Sequence, residues 1–107
     1  DGIGNLRSKC RVFNGPIYVL DWDYDGSSTG QADGNHSEII LKPRRFFNCP
    51  FRRGYGIVAI CDCYTPDGNP ALYNNRFEAN KIFDQYLDTK PWYGLEQEYF
   101  ILDNNKM

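Results

Sequence analysis

Residues 18–32 run from a strand pattern into a loop of small residues, and they constrain the fold more than any other stretch. In the first half, Tyr18, Leu20, Trp22 and Tyr24 fall on one face of an extended chain, and Val19, Asp21, Asp23 and Asp25 fall on the other. A period of two is a strand period. A strand with one apolar and one acidic face packs on a core while presenting carboxylates outward. The pattern stops at Gly26. Ser27, Ser28 and Thr29 then place hydroxyls on a loop that Gly26 and Gly30 make conformationally free. The commoner structure with this pattern is a solvated sheet face followed by an ordinary turn, and the rest of the chain decides whether Asp25 is more than that.

The chain has 107 residues, enough for one domain or for one domain plus a fragment of another. It is rich in aromatics, with 8 Tyr, 7 Phe and 2 Trp, which favours strands and a bulky core. A net charge of -2 gives no reason to expect nucleic acid or an anionic membrane as partner. No apolar run approaches the roughly 20 residues that span a bilayer, and no amino-terminal segment reads as a secretory signal. The chain begins at Asp1 and stops at Met107 just after a strand pattern, so a piece of a longer protein is expected. Four cysteines, Cys10, Cys49, Cys61 and Cys63, lack the spacing of a disulfide framework or a zinc site, and His36 is the single histidine. Reduced thiols are therefore expected, with Cys61 and Cys63 as small core residues.

Alternation predicts a strand over 6–13, with Leu6, Ser8, Cys10 and Val12 on one face and Arg7, Lys9 and Arg11 in solvent. Another strand is expected over 37–41, ended or bent by Pro43. Arg44, Arg45, Arg52 and Arg53 flank Phe46, Phe47 and Phe51, and in a slightly acidic chain they read as a solvated or ion-paired loop. The apolar run 57–64 fits a central strand buried on both faces, followed by a turn at 65–70. Asn74 or Asn75 can cap a helix, and Glu78 completes a capping box from Asn75. Ala79, Ile82, Phe83, Tyr86 and Leu87 make one core-facing stripe, and the helix should end near Asp88, two residues before the Lys90-Pro91 break. The segment 95–102 reads as a last strand with Glu96 and Glu98 on one face, roughly 6–7 Å apart. Two carboxylates in an apolar strand mean either a wet face or bound cations, and hard divalent ions take oxygen ligands.

Taken in order, five blocks resemble the eukaryotic type of glutamine synthetase. They are Asp1-Gly2-Ile3-Gly4-Asn5-Leu6-Arg7-Ser8-Lys9, Asp25-Gly26-Ser27-Ser28-Thr29-Gly30-Gln31-Ala32, Pro50-Phe51-Arg52-Arg53, Tyr64-Thr65-Pro66-Asp67-Gly68, and Pro91-Trp92-Tyr93-Gly94-Leu95-Glu96-Gln97-Glu98-Tyr99. The second and last are highly specific, and together the blocks cover nearly the whole chain. The resemblance implies an α+β fold: an amino-terminal β-grasp domain over 1–90, a mixed sheet packed with one amphipathic helix, and over 91–107 the beginning of an incomplete catalytic domain. It implies ATP-dependent ligation of ammonia to glutamate through γ-glutamyl phosphate, with Mg2+ or Mn2+ as cofactor and ATP as co-substrate. It implies a cytoplasmic homo-oligomer of stacked rings whose active sites are shared between neighbouring subunits.

By motif match, Asp25 is the catalytic carboxylate that reaches into the neighbour's site to bind and deprotonate ammonium, and Ser28 supports that loop. Glu96 and Glu98 are divalent-metal ligands, with Glu96 on the side nearer the nucleotide. The family's remaining carboxylates, metal-binding histidine and phosphate-binding arginines fall beyond Met107, so the isolated 107 residues are expected to be inactive. The competing expectation is a truncated, non-catalytic β-grasp module that binds or regulates a partner.

Overall fold

A computed structural model of the chain describes residues 1–16 and 18–103. Three strands form one sheet in the order β1-β2-β3: β1 (Trp22–Asp25), β2 (Glu38–Asn48) and β3 (Ile57–Tyr64). One helix follows, α1 (Asn75–Phe83), and short 3-10 turns lie at Ser27–Thr29 and Leu87–Thr89. Both strand pairings are antiparallel, so the described sheet is not the mixed one expected.

The expected strand over 6–13 does not form. Its side chains hold it to the sheet in place of a backbone ladder: Lys9 Nζ donates to Asp23 O at 2.6 Å and lies 3.6 Å from the Trp22 ring centroid. Arg11 also lies over that ring, while Leu6 and Val12 are exposed.

The opening strand is shorter than its alternation suggests. It pairs from Trp22↔Leu41 to Asp25↔Glu38, leaving Tyr18 and Leu20 exposed rather than inward. Continuing that register would set Leu20 against Pro43, whose ring nitrogen has no proton to donate.

Pro43 does not end β2, which runs on through the basic and aromatic residues read as a loop. Beyond Leu41 the strand has a partner on one side only, so the missing donor costs little there. The pairing shifts between Pro43 and Arg45: Pro43 faces Cys61, Arg45 faces Ile60, and Arg44 is the extra residue of a bulge.

The bounds of β3 match the expected run 57–64, but β3 is an edge strand rather than a doubly buried central one. Ile57, Val58 and Ile60 remain partly exposed because the single helix covers only the far end of the strand. The core sits at that end, around Ile39, Tyr64 and Ala71, with Cys49 buried at the opposite end of the β2–β3 hairpin. Tyr64 bridges to Pro70, and Ala71 N–H returns to Cys63 O at 3.0 Å, which turns the chain back towards the helix.

The helix cap is Asn74, whose side-chain oxygen accepts from Phe77 N–H at 3.3 Å. With the cap at Asn74, Glu78 falls one position too late for the capping box and pairs instead with Lys81 at 2.9 Å. The first turn anchors α1: Asn74 Nδ2 donates to Cys63 O at 2.8 Å, and Phe77 meets Tyr64 edge-on at 6.2 Å. The helix stops at Phe83 rather than near Asp88, and its expected core stripe is uncovered: Ile82 is 58% and Leu87 65% exposed.

The strand expected over 95–102 is absent as well. Among the described residues no strand pairs with it, Leu95, Phe100 and Ile101 are exposed, and a ring contact between Tyr93 and Phe83 ties down its approach. The expected catalytic-domain start at 91–107 therefore shows no regular structure through Asp103, and 104–107 lie outside the described residues.

Candidate active site

Asp25 is the last residue of β1, on its exposed face, where the sheet hands over to the small-residue loop. Its carboxylate is held by its own loop: Ser27 N–H donates to Asp25 Oδ1 at 2.9 Å and Ser27 Oγ donates to the same oxygen at 2.6 Å. Those two donors, the hydroxyl first, hold the Asp25 carboxyl below its ordinary pKa. The group is ionised, solvated and fixed in direction.

Ser28 joins the same cluster, its hydroxyl donating to the Asp25 backbone carbonyl at 2.8 Å. The structure thus brings the two expected catalytic residues together, although Ser27, not Ser28, touches the carboxylate.

Gly26 makes the turn possible. It is buried, and a Cβ there would overlap Ile39 Cγ1 and stand 2.9 Å from Ala32 Cβ. Its carbonyl gathers Thr29 N–H at 3.2 Å, Gln31 N–H at 2.9 Å and Ala32 N–H at 3.2 Å, so the loop closes on the residue next to Asp25.

Sequence reasoning gave no role to the side chains behind this loop. Tyr24, beside Asp25, donates to Gln31 Oε1 at 2.6 Å and lies 3.4 Å from Cys63 Sγ. Burial pushes the Tyr24 hydroxyl well above its ordinary pKa, so it acts as a neutral donor. Gln31 Nε2 donates in turn to Leu72 O at 3.2 Å. A second overlooked cluster is Asp62, 3% exposed, with Arg44 Nε at 2.9 Å, Arg76 Nε at 3.0 Å and the Tyr64 hydroxyl at 3.3 Å. The signal for it was an isolated acid inside an otherwise apolar run, which needs a partner once buried. All four cysteines are free.

Glu96 and Glu98 are exposed, outside regular structure. Their oxygens suit a hard divalent ion, but two carboxylates supply only part of the roughly six oxygens it takes. Among the described residues no three His, Cys, Asp or Glu side chains gather to hold a metal. These residues therefore do not build a metal site by themselves. A cavity of about 550 Å³ lies between the 9–13 segment and the sheet near Trp22 and Arg52, and Asp25 is not on its wall. No helix among the described residues is long and apolar enough to cross a membrane.

A three-stranded antiparallel sheet with one helix and a loop-held carboxylate at the end of its first strand agrees with what the chain resembles. Residues 4–66 match the family model for the glutamine synthetase β-grasp domain. The chain is 53% identical to a putative glutamine synthetase of Acanthamoeba polyphaga mimivirus, a match covering 94% of this chain and 31% of that protein. It is 50% identical to glutamine synthetase root isozyme 3 of Zea mays, over 94% of this chain and 30% of the relative. It is 48% identical to a glutamine synthetase of Candida glabrata, over 96% of this chain and 29% of the relative. The chain belongs to the glutamine synthetase family, in its eukaryotic type. It spans about three tenths of the length of these curated relatives.

Proposed function

We propose that this chain is the amino-terminal part of a cytoplasmic glutamine synthetase, which ligates ammonia to glutamate through γ-glutamyl phosphate with ATP as co-substrate. It acts within a complete homo-oligomer of stacked rings, where Asp25 enters the active site of the neighbouring subunit. The observation that carries the reading is the state of Asp25: an ionised carboxylate fixed by Ser27, standing on the exposed face of β1.

Such a group attracts ammonium by charge and by accepting its hydrogen bonds. The two Ser27 donors make Asp25 a poor base while it is solvated. Docking against the neighbour removes water, raises its pKa and lets it draw a proton from ammonium, so that neutral ammonia attacks the acyl phosphate. Ser28 keeps the backbone of Asp25 in place through its hydroxyl.

Glu96 and Glu98 give carboxylate oxygens to two divalent positions, Glu96 on the nucleotide side, and the remaining donors come from outside this chain. Mg2+ or Mn2+, if held there with those further donors, would supply positive charge to offset that of the phosphates. Support comes from the family membership and from the cytosolic isozymes of Oryza sativa among the relatives, one of them 49% identical.

A γ-glutamyl hydroxamate assay tests the reading. The complete oligomer forms the hydroxamate in the presence of ATP, and the 107-residue chain alone does not. Hydroxamate formation by the purified 107-residue chain overturns the claim that the chain needs its assembly. No formation by the complete oligomer overturns the proposed activity.

A further inference from the structure

We infer that Gln31, acting with Tyr24, is the positioning residue for Asp25, its carboxamide fixing the direction in which that carboxylate leaves the sheet. The inference rests on the reading of Asp25 as the ammonium-binding group.

The loop between Gly26 and Ala32 closes internally on the Gly26 carbonyl, and that closure by itself does not fix the loop's angle to the sheet. Its first residue is fastened by the Gly26 N–H bond to Ser37 O, and two further contacts hold the rest of it from outside. One is the backbone bond from Gly2 N–H to Thr29 O at 2.6 Å. The other is the Gln31 side chain, which spans three parts of the fold. Its Oε1 accepts from the Tyr24 hydroxyl at 2.6 Å and lies 2.9 Å from Thr29 Oγ1. Its Nε2 donates to Leu72 O, on the chain between β3 and α1 and 41 residues away in sequence. Tyr24 immediately precedes Asp25, so the clamp grips the strand on one side of the carboxylate and the loop on the other.

Position matters more for ammonium than for a larger substrate. Ammonium offers no apolar body and no shape to bind, only one charge and four donors. Its affinity depends on where the accepting oxygen stands, and a misplacement of about 1 Å can cost on the order of 100-fold in rate. The Asp25 carboxylate is bonded by Ser27 of its own loop and also interacts with the Ser37 side chain at the entry to β2, so the loop that Gln31 anchors sets a large part of its aim.

The test uses the complete enzyme and reads KM for ammonium, glutamate and ATP separately. Gln31→Ala removes the acceptor for two hydroxyls and the tie to Leu72 while leaving the backbone bonds to Gly26 intact. The ammonium KM should rise about tenfold, the equivalent of one or two hydrogen bonds, with the glutamate and ATP KM changed by less than about twofold. Tyr24→Phe should raise it by about threefold, for the loss of one donor. Gln31→Glu keeps the acceptor oxygen for the two hydroxyls but loses the Nε2 donor to Leu72 O, and should recover part of the loss.

An unchanged ammonium KM in Gln31→Ala overturns the inference. An equal rise in all three KM values, accompanied by a lower thermal midpoint, also overturns it, because that is what mere support of the fold produces. Asp25→Ala is the control. If it raises the ammonium KM while Gln31→Ala does not, the positioning role alone fails. If Asp25→Ala leaves ammonium use untouched, the reading of Asp25 fails and the inference falls with it.

Discussion

Arg44 Nε stands 2.9 Å from Asp62 Oδ2 across the bulge of β2, and Arg44 is the one residue that the bulge adds to the strand. An irregularity in the ladder thus delivers the cation that a buried carboxylate on β3 requires. Arg76, from the first turn of α1, completes the pair from the other side at 3.0 Å, and Arg44 also donates to the Tyr64 hydroxyl at 2.8 Å. With little apolar contact under its last turn, α1 depends on this ion cluster and on its cap to stay on the sheet. Arg44→Ala should therefore destabilise the chain by about 2 kcal/mol, less than the ~3–5 typical of a fully buried pair because Arg76 remains. The midpoint of urea unfolding checks this. A loss no larger than that of Arg45→Ala, on an exposed neighbouring position, would contradict the role of the bulge.

Gly26→Ala tests whether the turn after Asp25 is dictated by space. The added methyl meets Ile39 Cγ1, Ala32 Cβ and the Ser37 carbonyl, and Ile39 is the most buried side chain in the core. Overpacking of this kind costs about 1–3 kcal/mol. The expected result is a lower denaturation midpoint together with faster exchange of the Gln31 and Ala32 amides, which both bond to Gly26 O. Unchanged exchange would show that the loop does not depend on that approach.

Ser27→Ala tests the cause of the Asp25 shift. The folded pKa of Asp25 is lowered, so its bonds to Ser27 add stability above the unfolded pKa, and that stability is lost as pH falls through the folded value. Removing the hydroxyl should move the Asp25 carboxyl titration midpoint upward, towards the ordinary value of about 3.9, with the Ser27 backbone donor holding part of the shift. A carboxyl-carbon NMR titration reads this directly, and an unmoved midpoint would mean that the hydroxyl is not the main cause.

Asn74→Ala separates the helix cap from helix propensity. The side chain accepts from Phe77 N–H and donates to Cys63 O, so the substitution removes a cap and a tether to β3 together. The expected cost is about 1–2 kcal/mol. Asn74→Asp keeps the acceptor but loses the donor, and it should fall between Asn74→Ala and the unchanged chain in thermal unfolding. An Asn74→Asp variant as unstable as Asn74→Ala would place the whole effect on the bond to Cys63.

The parts of the fold that were legible in the sequence are those fixed by local chemistry. The run 57–64 becomes β3 at its expected bounds because it is β-branched and apolar between two clear turns. The loop after Asp25 and the cap at Asn74 depend on residues within a few positions of each other, so pattern and structure agree. Alternation at 6–13 and 95–102 says which side chains would share a face if the chain were extended. It does not say that a neighbouring strand exists to pair with, and among the described residues none pairs with either stretch. Pro43 misled for a related reason: a proline breaks a ladder only where a partner needs its proton, and β1 ends two residues short of it. Asp25 and Ser28 were paired by the family resemblance, and their bonds stay inside one loop. The Gln31 tie to Leu72 and the Arg44–Asp62–Arg76 cluster join distant positions and leave no periodic trace.

Glu96 and Glu98 carry the last prediction. Their spacing fits two carboxylates aimed at adjacent cations, yet both are solvated and no third donor joins them among the described residues. Two monodentate carboxylates leave most of the roughly six-oxygen shell of Mg2+ or Mn2+ to water, so they hold an ion only weakly. The 107-residue chain should accordingly show weak manganese binding in water-proton relaxation, and Glu96→Ala or Glu98→Ala should alter it little. In the complete enzyme each carboxylate completes a site built mostly by other donors, so its loss falls on affinity. Either substitution should shift the manganese activation midpoint upward by about tenfold or more, the scale seen when ligand-supporting groups are removed from metal sites. Glu96→Ala should also raise the KM for ATP, whereas Glu98→Ala should leave it near its original value, because only Glu96 is assigned to the nucleotide side. An unchanged manganese titration in both variants would contradict the ligand assignment. Equal effects of the two on ATP would contradict the division of roles between them.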